Sequence, residues 1–292
     1  MPGYRRVKGE FVLFYQGKRH VGSQPDGDSI WFRPRAAKHL RGLADRDADF
    51  NAGGCTQLRI EAIDALELHY KGSHQHWNLA IDGRDELLDL IGTQVQYGSG
   101  AGLAVRSATP HPIPAYIYTR AIDPYGRPVA FAYMGTGSGA DGTDGVWVTA
   151  AMVRASLNYK LAKRGHAYPA FYTGLPVDLR AEVAAAAKQA GKRGLWPKDR
   201  SMKGTSIPSL TALEKVAIWP KLFRRLVSYF KDRGVNAGLG GFEAWLRAEA
   251  DRDDQILIGP IDELGNMHDV IRVNGNTVRM RYKPAELIIV PR

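Results

Sequence analysis

A series of short strand-like segments, separated by turn sequences, limits the fold of the first part of the chain more than any other feature. Strands are predicted at residues 9–16, 19–23, 29–33, 57–63, 93–97, 103–107, 115–122 and 128–133. Gly-Lys and Pro-Asp-Gly-Asp sequences between the first three segments are typical of turns. In the fourth segment, Leu58, Ile60 and Ala62 alternate with Arg59 and Glu61, which predicts a strand with one buried face.

Helical and mixed patterns follow in the second part of the chain. Helices are predicted at 158–164, 178–190, 209–232 and 240–250, and further strands at 255–259, 269–273, 277–282 and 286–290. Asn158 is the predicted N-cap of the first of these helices. A polar linker at 198–209 is the predicted boundary between two domains, 1–200 and 201–292. The chain is therefore expected to belong to the α+β class.

The charge of the chain favours an acidic partner. Its formal net charge is +10 at neutral pH and its pI is near 9.6. Nucleic acid is the leading candidate for such a partner, although a protein that only carries many lysines and arginines fits the charge equally well.

Cysteine content and hydropathy exclude several other classes. Cys55 is the only cysteine, which rules out an intrachain disulfide and a zinc cluster built from thiolates. No segment approaches the roughly 20 apolar residues that span a bilayer, and the N-terminus lacks the apolar run of a signal peptide. We therefore expect a cytoplasmic protein without membrane association.

Three separated segments carry residues suited to phosphate chemistry. They are Pro-Asp-Gly-Asp-Ser at 25–29, Leu-Arg-Ile-Glu-Ala-Ile-Asp-Ala-Leu-Glu at 58–67, and Tyr-Gly-Arg-Pro-Val-Ala at 125–130. Taken alone, each is more often an ordinary hairpin, a solvated strand face or a simple turn. In this order, however, they resemble the staphylococcal-nuclease (thermonuclease) family.

The helical region extends this resemblance to about residues 9–198. Residues 158–165 are similar to the second helix of the family, which begins with asparagine, and residues 179–196 to its alanine- and lysine-rich third helix. Insertions relative to the family are expected near 35–54, 98–114 and 135–155. The resemblance implies an OB-type five-stranded β-barrel with three helices, followed by a C-terminal α+β domain of unknown type.

The resemblance also implies a calcium-dependent nuclease. Such an enzyme hydrolyses phosphodiester bonds of DNA or RNA with low sequence specificity and leaves 3'-phosphate ends. Asp28 and Asp64 would be carboxylate ligands of the calcium ion, the backbone carbonyl of Ala65 a third ligand, and Asp26 an acid near the metal. Calcium is a hard cation that prefers such oxygen ligands.

The remaining roles concern the phosphate and the nucleotide. Arg59 and Arg127 would hold the scissile phosphate, because a guanidinium group matches phosphate oxygens and keeps its charge. Glu67 would position or deprotonate the attacking water. The residues that would contact the nucleotide are Tyr125, Tyr168 and Tyr172.

Some alternatives stay open from the sequence. Strict alternation places Arg59 and Asp64 on opposite faces of a strand, so one site requires the strand to end or bend between them. The barrel could instead be a catalytically inactive nucleic-acid-binding or scaffold protein. Residues 201–292 could recognise nucleic acid, bind a protein partner, self-associate or restrain the nuclease. The aromatic and basic segment 219–225 could contact nucleic acid or pack as an amphipathic helix.

Overall fold

The computed structural model describes residues 3–98 and 103–291, which form a mixed α+β structure. Its strands are β1 Arg5–Val12, β2 Phe14–Gln16, β3 His20–Gly22, β4 Ser29–Pro34, β5 Thr56–Ile60, β6 Ile63–Ala65, β7 Gln94–Tyr97, β8 Val105–Thr109, β9 Ile113–Ile122, β10 Pro128–Met134, β11 Ala167–Pro169, β12 Phe171–Tyr172, β13 Thr205–Ser206, β14 Gln255–Ile258, β15 Glu263–Asn266, β16 Ile271–Asn274, β17 Thr277–Met280 and β18 Leu287–Ile289. Its α-helices are α1 Trp77–Leu90, α2 Ala150–Ala155, α3 Leu157–Arg164, α4 Val177–Ala190, α5 Leu210–Leu213, α6 Pro220–Arg233 and α7 Phe242–Arg247. Residues 99–102 of the insertion expected at 98–114 lie outside the described residues.

The chain divides into two compact units, each made of two stretches of sequence. Unit 1 comprises Met1–Glu61 and Arg84–Leu161, and unit 2 comprises Ala62–Gly83 and Ala162–Arg292. Two helices, α1 and α3, contribute residues to both units. The division into domains 1–200 and 201–292 stays a prediction. None of the helices in the part of the chain that the structure describes has the length and apolar character needed to cross a bilayer.

Unit 1 contains a closed five-stranded barrel, which confirms that part of the predicted fold. The strands follow the order β1-β4-β5-β10-β9, and β9 pairs with β1 to close the barrel. All neighbouring pairs are antiparallel except β5 and β10, which are parallel. Buried apolar side chains on these strands form much of the core of the unit: Val7, Phe11, Ile30, Phe32, Leu58, Ile60, Ile117 and Phe131. Each contributes roughly 1.5–3 kcal/mol through its burial.

The predicted strand at 57–63 is interrupted. Leu58 and Ile60 are buried as predicted, but β5 ends at Ile60, and Ala62 adopts a left-handed backbone conformation with φ of 71°. The strict alternation that separated Arg59 from Asp64 therefore does not extend across residues 61–62. The exposure expected for Glu61 was wrong, because this side chain is only 8% exposed and pairs with Arg120 at 3.3 Å.

Asn158 has a different role from the predicted N-cap. Helix α3 begins at Leu157, so Asn158 lies within its first turn and its side chain is fully buried. Its Oδ1 accepts from the Ala132 N–H at 3.0 Å, and its Nδ2 donates to the carbonyls of Glu61 at 2.7 Å and Ala130 at 3.0 Å. The side chain thus joins α3 to β10 and to the end of β5. An N-cap side chain would instead have formed a hydrogen bond only within its own helix.

Unit 2 combines small sheets with helices. Strand β6 pairs with β11, while the other sheets have the orders β12-β18-β14-β15 and β13-β17-β16. The predicted helix at 209–232 is two helices, α5 and α6, because Pro220 begins α6 as its first residue. Trp219 and Phe223 are buried, so this segment packs as an amphipathic helix, which is one of the two alternatives left open by the sequence.

Candidate functional site

Strand register in unit 1 brings three predicted site residues to one end of the barrel. Ser29 in β4 lies opposite Arg59 in β5, and Arg59 lies opposite Val129 in β10. Asp28 directly precedes Ser29, and Arg127 precedes Val129 by two residues. Because neighbouring strands are about 4.8 Å apart, one acid and two arginines are grouped at the ends of three adjacent strands.

Arg127 is held in place by a turn that the sequence analysis overlooked. Its Nε and Nη2 contact Asp123 Oδ2 at 2.8 and 2.7 Å, and Asp123 Oδ1 accepts the backbone N–H groups of Tyr125 and Arg127. Gly126 has φ of 73°, and a Cβ there would lie only 2.3 Å from Asp49 Oδ2, so the turn requires glycine. An aspartate two residues before Tyr-Gly is a sequence signal for such a turn. Arg127 is thereby positioned in advance of any ligand.

Tyr125 lies at the surface, and Asp26 lies in the turn before β4. Tyr125 is 76% exposed, and the Arg127 guanidinium lies 5.4 Å from the centre of its ring. An exposed ring beside an arginine can stack on a base. Asp26 Oδ1 accepts the N–H of Gly27 at 2.8 Å, and its backbone forms a bridge with Ser29, so it shapes the turn before β4.

In unit 2, Arg224 of α6 pairs with both predicted acids. Asp64 lies in β6, is 4% exposed, and accepts from Arg224 Nη1 at 3.0 Å and Nη2 at 2.7 Å. The same Nη1 donates to Glu67 Oε1. This forked contact gives two charge-assisted hydrogen bonds to one carboxylate and a third to its neighbour. Ala65 follows Asp64 in β6 and lies opposite Ala167 of β11.

The electrostatic balance fixes Arg224 as a cation. Burial disfavours its charged form, but the nearby carboxylates of Asp64 and Glu67 outweigh that effect and hold the pKa of Arg224 well above its usual value. One guanidinium charge therefore faces two carboxylate charges. Little in the sequence signals this contact, because Arg224 is 157 residues from Glu67 and its position on α6 is visible only as part of an amphipathic pattern.

A buried glutamine fixes Glu67 relative to the start of α6. The N–H of Glu67 donates to Gln75 Oε1 at 3.1 Å, and the N–H of Gln75 donates to the carbonyl of Glu67 at 2.8 Å. Gln75 Nε2 also donates to the carbonyl of Ile218 at 2.8 Å. Since Gln75 has no exposed surface, these bonds are protected from water and connect the Glu67 backbone to the segment that precedes α6.

Asp64 and Glu67, as arranged, do not fit a calcium ion. Calcium takes about 6–8 oxygen ligands, whereas both oxygens of Asp64 accept hydrogen bonds from Arg224. Within residues 3–98 and 103–291, no three His, Cys, Asp or Glu side chains are grouped so that they could hold a metal ion. A calcium ion at Asp64 would lie beside the Arg224 guanidinium, and the two positive charges would repel each other.

The two tyrosines expected to contact a nucleotide in unit 2 differ in exposure. Tyr168 has no exposed surface, its hydroxyl donates to Asp199 Oδ1 at 2.9 Å, and its ring packs against Trp196. It therefore presents no face on which a base could stack. Tyr172 is half-buried, and Lys221 Nζ lies 5.9 Å from its ring centre.

The structure thus groups Asp28, Arg59 and Arg127 in unit 1, and Asp64, Ala65 and Glu67 in unit 2. Comparisons with protein-family models and with curated proteins find no match for the chain.

Proposed function

We propose that the chain is a nuclease that hydrolyses phosphodiester bonds of DNA or RNA with low sequence specificity. The observation that carries this proposal is the register of β4, β5 and β10, which groups Arg59 and Arg127 at one end of the barrel. Guanidinium groups are suited to the oxygens of a phosphodiester. The excess positive charge of the chain would add sequence-independent attraction to a polyanion.

The barrel is proposed to be of the OB type, like that of the staphylococcal-nuclease family. Counted within the barrel alone, the strand order is first-second-third-fifth-fourth, with the third and fifth strands parallel. OB-type barrels bind nucleic-acid strands across one face. This connectivity supports the resemblance that the three sequence segments indicated. The cytoplasmic location stays a prediction.

Each side chain has a proposed contribution. Arg59 and Arg127 bind the non-bridging phosphate oxygens and stabilise the charge that grows on them in the transition state, which is commonly a large catalytic effect. Tyr125 stacks on the adjacent base. Glu67 is proposed to accept a proton from the attacking water.

The test is a cleavage assay with matched variants. The purified chain is incubated with single-stranded and duplex DNA and with RNA, in calcium or in excess chelator, and products are resolved on a denaturing gel. We expect cleavage by the wild type and losses of at least about 100-fold in Arg127→Ala and Glu67→Gln. The exposed residues Arg106 and Glu263 provide the charge-matched controls Arg106→Ala and Glu263→Gln, which should keep full activity.

Two results would contradict the proposal. If the wild type cleaves none of these substrates under any condition, the proposed nuclease activity is refuted. Full turnover in both Arg127→Ala and Glu67→Gln, with unchanged circular dichroism, would show that these residues do not have the proposed roles. The calcium requirement and the 3'-phosphate product are predictions that the same gel tests.

A catalytically inactive nucleic-acid-binding protein is the second candidate. The observation that favours it is the ion pairing of Arg224 with Asp64 and Glu67, which already occupies the acids that a nuclease would use. This candidate predicts that the wild type retards single-stranded DNA in a gel and leaves it intact with or without calcium. Residues 201–292 stay a candidate for a protein partner or for self-association.

A further inference from the structure

The end of helix α4, in unit 2, carries a concentration of positive charge. Residues 183–198 contain four basic side chains and no acidic one: Lys188, Lys192, Arg193 and Lys198. All four residues are exposed. The formal net charge of the whole chain is +10, so a large part of the excess lies in this short segment.

Two successive turns keep this segment compact. Beyond α4, the N–H of Trp196 donates to the carbonyl of Arg193 at 3.3 Å, and the N–H of Lys198 donates to the carbonyl of Leu195 at 3.0 Å. Each such turn holds the Cα atoms of its first and last residues within about 7 Å of each other. The four cations are therefore grouped at one end of the helix.

A close backbone crossing adds the end of helix α3 to this surface. A Cβ at Gly165 would lie 2.6 Å from the carbonyl oxygen of Arg193, and a Cβ at Gly194 would lie 2.2 Å from that of Gly165. Both glycines also have a positive φ, so the crossing requires glycine at each position. The exposed residues Lys163 and Arg164, which end α3, thereby lie beside the turn that follows α4.

Helix stability explains only part of this charge. A cation at the C-terminus of a helix interacts favourably with the helix dipole and can donate to the last carbonyl groups. Arg193 does so, because its Nε donates to the carbonyl of Ala190 at 3.3 Å and its Nη2 to that of Gln189 at 3.1 Å. The dipole effect falls off within the last turn, so it does not account for Lys198, which lies eight residues beyond Ala190, where α4 ends.

The composition of the surface favours a phosphate backbone over a membrane. Surfaces that bind membranes combine cations with exposed apolar side chains that enter the lipid. Within residues 183–198, all of which the structure describes, no large apolar side chain is exposed. The next acid along the chain, Asp199, is directed toward the interior, where its Oδ1 accepts from the side chains of buried Tyr168 and Ser201.

We propose that Lys188, Lys192 and Lys198 form a second nucleic-acid-binding surface, which contacts the phosphates of a single strand and uses no residue of the barrel. The choice of nucleic acid as the partner rests on the proposed function, and the inference extends that function by placing part of the binding in unit 2. Contacts to phosphates carry no sequence information, so the surface raises the affinity for every sequence alike.

The test measures binding without turnover. The full-length chain is titrated, in excess chelator, into a fluorescein-labelled strand of about 20 deoxythymidines, and anisotropy is recorded at about 50–300 mM potassium chloride. The triple variant Lys188→Gln/Lys192→Gln/Lys198→Gln is expected to bind at least about tenfold more weakly than the wild type at the lowest salt concentration. Because each contact to a phosphate of a single strand contributes about 0.7 to the slope of log K against log salt, three lost contacts should lower that slope by about 2.

Arg233, Arg247 and Arg272 provide the matched control, since they are exposed cations of unit 2 that lie in α6, α7 and β16. Their triple replacement by glutamine removes the same charge and should leave the affinity within about threefold of the wild type. Circular dichroism checks that both variants fold. If the lysine variant does not fold, Lys192→Gln/Lys198→Gln leaves α4 unchanged and should lower the slope by about 1.4.

Three results would overturn the inference: equal losses in the two triple variants, binding by the lysine variant with the affinity of the wild type, or no binding of the strand by the wild type. Vesicles of phosphatidylserine and phosphatidylcholine test the other anionic surface. Lysine-dependent binding to these vesicles and not to the strand would make the partner a membrane and would also overturn the inference. Lysine-dependent binding of the strand by a chain that cleaves nothing would uphold this surface and refute the nuclease, whereas cleavage with lysine-independent binding would do the reverse.

Discussion

Replacement of Asn158 by alanine is expected to destabilise unit 1 strongly. The side chain is fully buried and makes three hydrogen bonds, one from the N–H of Ala132 and two to the carbonyls of Glu61 and Ala130. Alanine removes all three bonds and leaves the Ala132 N–H without its side-chain acceptor. Water cannot easily replace that acceptor in the interior of the unit.

The magnitude follows from these contacts. Three hydrogen bonds at a net contribution of ~1 kcal/mol each give about 3 kcal/mol, and a buried unsatisfied N–H adds ~1–2 kcal/mol. We therefore expect a loss of about 4–5 kcal/mol in the free energy of unfolding. Asn158→Asp keeps the shape and the acceptor but has no N–H donors, so it should lose stability through the two carbonyls while retaining the bond from Ala132.

Urea unfolding followed by tryptophan fluorescence provides the assay. The exposed Asn236 offers a matched control, because Asn236→Ala removes the same atoms from the surface and should change stability by less than about 0.5 kcal/mol. A loss below about 1 kcal/mol for Asn158→Ala would refute the reasoning, since even one net hydrogen bond accounts for that much.

Two further predictions concern polar groups that are partly or fully buried. Burial lowers the pKa of His111 below 6.5, and its Nε2 accepts from the Leu13 N–H at 3.0 Å, so the folded state requires the neutral ring. Because the unfolded chain binds the proton more readily, the free energy of unfolding should fall as the pH drops through about 6.5. His111→Gln should reduce that fall when urea midpoints are compared at about pH 7 and pH 5. An equal fall in both proteins would contradict this prediction. Tyr168→Phe removes the hydroxyl donor to Asp199 and should lower the free energy of unfolding by about 1–2 kcal/mol, whereas an unchanged urea midpoint would show that the bond contributes nothing.

The strands of the barrel could be predicted because their signal is local, whereas the closed barrel was expected only from the family resemblance. Leu58 and Ile60 alternate with polar residues, and this periodicity alone identifies a strand with one buried face. The same rule failed at Glu61, because its burial depends on Arg120, a residue 59 positions away. It also could not locate the end of β5. Ala62 adopts a positive φ there, and no glycine marks this break in the sequence.

The acids of the candidate site show that a local sequence motif is also insufficient to establish function. A motif can identify Asp64 and Glu67 as carboxylates suited to a cation, but the identity of that cation depends on the distant Arg224. From the sequence, acids near a phosphate site argue against a barrel that has lost catalysis, since a simple binder has no need of them. The ion pair supplies another reason for such acids to be present, because removing either partner of a buried pair costs about 3–5 kcal/mol. The same carboxylates therefore fit both an active and an inactive barrel, and the cleavage assay on the wild type and Glu67→Gln distinguishes the two.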